Sequence, residues 1–443
     1  MTEEKFSSKQ WLILILFGAI GQIAWSVENM YFNLFVFDEI SKNLDAITLM
    51  VQLSGVVATV VTLLAGTLSD KSGNRRRFIS IGYIIWGVTV ALFGFISPEL
   101  VGKIFNTGEG KAIQIALIAV IVGDCVMTLF GSTANDAAFN AWVTDNTNRH
   151  NRGTVEGILS ILPLIAMLIV AGGFGMLVTA IGYPILFLAL GIVISACGVV
   201  GVFVIKDSPS LSKSGSMRDI FYGFSPKVVK QNPAFYLTLL IILIYGIACQ
   251  VFMPYLIIYM REYLGFSVFE YSAVFAIAII LGAAVNLYLT RLSDKYDKAK
   301  LMYVAAPILA VGLLAMYFSR DMAKGATLAL FGIAGFVMIC GYIFVSALSN
   351  STLRDATPTE AVGKLQGVRM VFSVLIPMIA GPAIGNAINS VRNIPIAEDS
   401  ADAMTTAYMP APEIFLVAAI ITLLMLAVVP FLSRSMGKSS EKK

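Results

Sequence analysis

Apolar runs of about 20 residues or longer follow one another along this chain almost without pause, and that leaves it few folds. Hydrocarbon offers no water to hydrogen-bond the backbone, so each crossing segment must satisfy its own N–H and C=O groups. Closed barrels do so with alternating strands, a pattern this sequence lacks. Helices remain. Composition agrees: 58% of the 443 residues are hydrophobic and 13% are charged, against about 25% charged in soluble domains. Mean hydropathy is +0.83. We read twelve spans, six at 11–38, 46–68, 78–97, 112–142, 154–179 and 183–205, and six at 235–262, 270–291, 301–319, 325–350, 366–390 and 412–433. The expected fold class is an all-α membrane protein, twelve transmembrane helices in two pseudo-symmetric six-helix bundles. Residues 1–205 would form the first bundle. A Ser-, Lys- and Pro-rich cytoplasmic linker would occupy 206–234, and the second bundle with a short basic tail 235–443.

Lys and Arg placement sets the orientation. With both termini on the cytoplasmic side, inside segments hold 23 of these residues, outside segments hold 7, and Arg369 falls within a span. The net charge of +4 is spread over many loops, so it reads as topology signal and not as a nucleic-acid footprint. Residues 1–10 are polar and the following run lacks a small-residue cleavage site, so no cleavable signal peptide is expected. The plan needs no partner chain; a monomer in a lipid bilayer of the cell membrane suffices.

The two halves echo each other. Leu68-Ser69-Asp70-Lys71 recurs as Leu292-Ser293-Asp294-Lys295, an offset of 224. Asp145, Thr147, Gly153 and Gly157 recur as Asp355, Thr357, Gly363 and Gly367, an offset of 210. A longer connection in the first half, around 96–111, accounts for much of the difference. Tandem membrane halves are characteristic of transporters. Gly172-Gly173 in the fifth span and Gly381-Pro382 in the eleventh occupy matching places, where they permit close helix packing or a hinge.

The stretch Gly66-Thr67-Leu68-Ser69-Asp70-Lys71-Ser72-Gly73-Asn74-Arg75-Arg76-Arg77 resembles the cytoplasmic signature between the second and third helices of the major facilitator superfamily. The resemblance extends to the twelve spans, the middle loop and the weaker second copy. It implies that Asp70, Arg75, Arg76 and Asp145 form a latch on the inner gate, with Asp294 and Asp355 as partial copies. The second copy has Lys298 and Lys300 where the first has three arginines. Gly66 is expected to let another helix approach closely.

Ionisable residues within spans cost about 2.5–3.5 kcal/mol each on insertion scales, which makes them candidates for function. Glu28 lies past the middle of the first span, whose Gln22, Trp25, Asn29 and Asn33 fall in one sector at regular helical spacing. This stripe suits a cavity wall or an interhelical hydrogen-bond seam. Asp124 is central in the fourth span, with Asp136 closer to the cytoplasm. Each suits a proton carrier, a sodium ligand or a structural partner. Arg369, Gln250, Tyr255 and Tyr342 are weaker cavity candidates, Arg369 serving equally as an anchor.

The fragment Asn135 to Trp142 is loosely similar to the fourth helix of the sugar–cation symporters of the melibiose permease group, with Asp136 in place of that group's aspartate. The group's second-helix acids have no counterpart, since no acid lies between Leu49 and Thr67. The resemblance implies cation-coupled uptake of a sugar or glycoside, for which Glu28, Asn29, Trp25, Gln22 and Asp124 supply suitable groups. A proton-coupled efflux antiporter for amphipathic compounds is the alternative. The coupling ion, proton or sodium, stays open. No other cofactor is expected, nor an enzyme activity: there is no phosphate-binding glycine loop, and the one histidine, His150, lies in a polar loop. The four cysteines lie in apolar runs without disulfide or metal spacing.

Overall fold

The computed structural model describes residues 6–147, 152–208, 217–292, 296–320, 322–358, 365–396 and 407–440. Eleven helical stretches within them are long and apolar enough to cross a membrane. Four precede the longest: α1 (Ser8–Ile40), α2 (Leu44–Ser72), α3 (Arg75–Phe93) and α4 (Glu109–Asn146). The 48-residue stretch Gly157–Val204 is two spans, because Gly182 leaves helical geometry at φ 76°, ψ 162°. Pro184 follows, lacking the N–H that would carry the helix through. We name these spans α5 (to 181) and α6 (from 183). Six more follow: α7 (Pro233–Tyr263), α8 (Val268–Asn286), α9 (Lys298–Phe318), α10 (Lys324–Ala356), α11 (Gln366–Arg392) and α12 (Glu413–Met436). Twelve spans result. Side chains such as Leu12, Ile118, Ile192 and Val311 are exposed along them, as a lipid-facing surface requires.

The chain divides into two compact units, Met1–Lys42 with Leu53–Met217, and Asn43–Gln52 with Arg218–Lys443. In the first unit α3 packs backbone-close on α6. A Cβ on Gly87 would collide with the Gly191 carbonyl, and one on Gly191 with the Gly87 carbonyl. The expected long connection contains a further helix, Pro98–Phe105, capped by Ser97 and closed by Asn106 at φ 50°. In the second unit α9 lies on α10 in the same manner, through Gly312 against Met338 and Gly341 against Leu309.

Residues Asn43–Gln52, the start of α2, are held within the second unit by hydrogen bonds. The Gln52 amide donates to the Ile379 carbonyl at 2.9 Å, and the Thr48 and Tyr255 hydroxyls lie 2.7 Å apart. The Tyr255 hydroxyl also reaches the Pro382 carbonyl at 3.0 Å. Asp45 accepts from Asn386 and from Tyr408. Burial and the Asp45 charge push the Tyr408 phenol up to about 12. Tyr408 belongs to a two-residue strand, Tyr408–Met409, paired antiparallel with Ile394–Pro395; runs this short leave no alternating pattern to read in a sequence.

Candidate functional site

The centre of the first unit is polar where its surroundings are not. Three helices supply it: α1 gives Glu28, α2 gives Ser54, and α4 gives Asp124 and Thr128. Glu28 is 8% exposed and Asp124 2%. The Ser54 hydroxyl donates to Glu28 Oε1 at 3.0 Å and the Thr128 hydroxyl donates to the same oxygen at 3.1 Å. The two hydroxyls are themselves 2.7 Å apart. Ser54 also faces Asp124, whose charge acts on Glu28. Glu28 Oε2 and Asp124 Oδ1 are buried and without a hydrogen-bond partner among the described residues. Buried polar atoms left open in this way cost stability, and they are groups through which ions or substrates can bind.

Local backbone geometry presents these groups. Glu28–Phe32 and Ser132–Phe139 are widened, π-type turns within otherwise α-helical spans. Such turns bring one extra residue into the helix and recur at functional sites. The turn in α1 also breaks the regular sector expected from the sequence. Asn29 is exposed, its amide donating to the Trp25 carbonyl at 2.8 Å, whereas Asn33 is 1% exposed and bonds to the Asn29 carbonyl. Trp25 is half-buried with its ring 5.1 Å from that of Trp86, and Gln22 is half-buried. Thus Gln22, Trp25 and Asn29 stay accessible while Asn33 turns inward.

Asp136 lies in the widened turn of α4. It accepts from the Ser132 hydroxyl at 3.0 Å and from Asn135 at 3.3 Å. These hydrogen bonds are to its own helix and not to the Glu28 cluster. Sequence reasoning missed Ser54. A serine in an apolar span costs little and is common packing, so only the hydroxyl's convergence with two carboxylates distinguishes it. Ser54→Ala removes one of two donors to a buried carboxylate. It should lower stability by about 1–3 kcal/mol. In a double cycle with Glu28→Gln, thermal unfolding should show the two effects coupled; additive losses would mean that this hydrogen bond contributes nothing.

Where α2 passes into α3, Arg75 is the hub. It is 4% exposed and donates to Asp145 at 3.0 Å, to the Ser69 hydroxyl at 2.6 Å and to Asp70. Arg76 does not share this arrangement. Its side chain is exposed, and only its backbone N–H is engaged, by Asp207 at 2.9 Å. Helical spacing explains the split, since adjacent residues point about 100° apart. Gly66 meets no atom within 4 Å of the position a Cβ would take, so among the described residues no helix approaches it closely. In the second unit Lys298 donates to Asp355 at 2.6 Å and to Ser351 at 2.7 Å. Asp294 lies outside the described residues. Among the weaker candidates, Tyr255 is buried in the hydrogen bonds given above, and Tyr342 accepts at its carbonyl from the Tyr245 hydroxyl at 3.2 Å. Gln250 is half-buried, its backbone and Cβ packed against Gly381, and Arg369 is exposed at the start of α11.

The family model for the Major Facilitator Superfamily matches residues 13–382. A protein of Cupriavidus necator described as a probable sulfoacetate transporter, SauU, is 24% identical over 324 residues, 69% of each chain. Among solved structures, the nucleoside transporter NupG is similar with a TM-score of 0.67 at 12% identity, covering 96% of this chain and 99% of its own. A bacterial homologue of the human lysosomal transporter Spinster is similar with a TM-score of 0.61 at 15% identity, covering 96% and 94%.

Proposed function

We propose, from the premise that this chain belongs to the major facilitator superfamily and is a multi-pass membrane transporter, that it carries a small neutral polar solute, a sugar or glycoside, in symport with a proton. Both termini are cytoplasmic on this reading, as the 23-to-7 distribution of Lys and Arg supports. The two units alternate access to a site near the midplane, with the Arg75 cluster as the inner latch.

The observation that carries the proton is a count. Glu28 Oε1, Ser54 Oγ and Thr128 Oγ1 make three close oxygen pairs. Two hydroxyls bring two protons. A third proton, on Glu28 Oε1, closes the triangle head to tail: the carboxyl donates to one hydroxyl, that hydroxyl turns to donate to the other, and the second still donates to Oε1. The ionised form leaves one pair without a proton between its oxygens. Asp124 on α4 adds a second buried carboxylate to the same polar centre. The same cluster brings together two carboxylates and two hydroxyls, groups that accept from and donate to the hydroxyls of a polar solute. Trp25 offers a ring face for an apolar sugar surface, and Gln22 and Asn29 offer amides for its hydroxyls.

The test is uptake into proteoliposomes under an inward proton or an inward sodium gradient, with a neutral disaccharide, sulfoacetate and a cationic dye as contrasting cargoes. Accumulation of the sugar under the proton gradient is expected. Accumulation of sulfoacetate, dependence on sodium alone, or dye movement in exchange for protons would each overturn the proposal.

A further inference from the structure

Before α7 the chain makes two short helices, a tight 3-10 segment Met217–Phe224 and an α-helical turn and a half, Pro226–Gln231. One side of this segment is fastened to the second unit. Gly223 is buried against Leu365 and Val368, and a Cβ there would meet Val368 Cγ1 at 2.8 Å. The Tyr236 hydroxyl donates to the Gly223 carbonyl. Val228 enters a small apolar core with Phe235, Leu239, Leu353, Leu365 and Val368. The segment is therefore anchored at a fixed place beside the start of α7.

What it leaves uncovered is the opposite of what a solvated linker would show. Phe221 is 72% exposed, and Tyr222, Phe224 and Val229 are exposed with it. Lys227 and Lys230 are exposed among them. Pro226–Gln231 ends two residues before Pro233 opens α7. The headgroup layer extends about 5–7 Å beyond the hydrocarbon on each side, so a segment this close to a span's end lies within that layer. Exposed aromatic and apolar side chains interleaved with lysines match its chemistry: a hydrocarbon boundary for the rings, and phosphates for the ammonium groups.

We infer that the exposed face of residues 221–230 is a docking surface for the anionic lipid headgroups of the leaflet around it, with Phe221, Tyr222 and Phe224 inserted at the acyl boundary and Lys227 and Lys230 on lipid phosphates. The leaflet is the cytoplasmic one by the orientation proposed above. The anionic charge of that leaflet favours each lysine by roughly fivefold in local association. This fastens the entry to α7 to the membrane plane, so lipid charge acts on the second unit at the start of its first span.

The test uses the full chain with its four cysteines changed to alanine and Phe221→Cys labelled with an environment-sensitive fluorophore. Phe224→Cys serves as a second reporter, and both are accepted only if thermal unfolding in detergent matches the parent. The labelled protein is placed in vesicles of phosphatidylcholine with or without phosphatidylglycerol. Quenching by shallow nitroxide lipids should rise several-fold with phosphatidylglycerol, and Lys227→Glu with Lys230→Glu should remove that rise. Symmetric vesicles present the same lipid to both faces, so the outcome does not depend on orientation, which a membrane-impermeant thiol reagent reads separately. Quenching by aqueous iodide in both lipid mixtures, with none by nitroxide lipid, would overturn the inference and leave the face to water or to a protein partner.

Discussion

Proteoliposomes carrying the Glu28→Gln chain should bind and exchange solute but fail to accumulate it against a gradient. A glutamine amide offers one oxygen to accept and an N–H₂ to donate. It can complete the triangle with Ser54 and Thr128 permanently, as the protonated acid does reversibly. The variant is then held in the loaded hydrogen-bond pattern with no proton to release. Downhill exchange continues. Uphill uptake falls by about 100-fold, the factor that corresponds to the ~2.5–3.5 kcal/mol by which a carboxylate charge within a span is disfavoured. Asp124→Asn should reproduce much of this loss, and the double variant should add little, because groups that act as a unit are not additive. Counterflow and gradient-driven uptake measured side by side distinguish the cases. Undiminished accumulation by Glu28→Gln would remove the proton from this site.

The second large effect is expected at Arg75. Arg75→Met leaves Asp145, Asp70 and Ser69 without the guanidinium that joins them. The guanidinium lost is 5% exposed, while the carboxylates left behind are 41% (Asp70) and 21% (Asp145) exposed at the side chain, so losing these charge-assisted hydrogen bonds should cost about 1.5–3 kcal/mol. Lys298→Met in the second unit is the built-in comparison. Lys298 is 22% and Asp355 51% exposed at the side chain, and water screens such a pair to about 0–1 kcal/mol. Thermal unfolding in detergent should therefore drop sharply for the first variant and barely for the second. Thiol accessibility near the turn between α2 and α3 should rise in the first alone. Equal shifts would mean that the arginine hub holds no more than its lysine counterpart.

Much of this architecture was legible in the chain. Lipid forces each span to be nearly continuous in apolar residues, and that constraint is written residue by residue. Gly182 and Pro184 end α5 where the apolar run alone would have continued. Glu28 and Asp124 were visible for the same reason in reverse, as charges where charge is expensive. Ser54 was not, because a hydroxyl can bond to its own helix and so passes unnoticed among apolar neighbours. The even polar stripe of α1 misled at Asn33, since a widened turn at Glu28–Phe32 cannot be seen in residue spacing. The arginine triplet was legible as charge but not as geometry. Only Arg75 turns inward, and Arg76 contributes its backbone to Asp207. The lysine of the second half proved able to meet its aspartate without an arginine at all.

On the proposed proton symport, the triangle of Glu28, Ser54 and Thr128 also has an electrical consequence. The empty and loaded carriers differ by one elementary charge when one carboxyl proton travels with a neutral cargo. A full crossing of that charge is worth about 2.3 kcal/mol per 100 mV of membrane potential. Each turnover then draws current. With the cell interior negative, the voltage favours the outward return of the ionised empty carrier, so the resting potential by itself can concentrate solute where no pH difference exists.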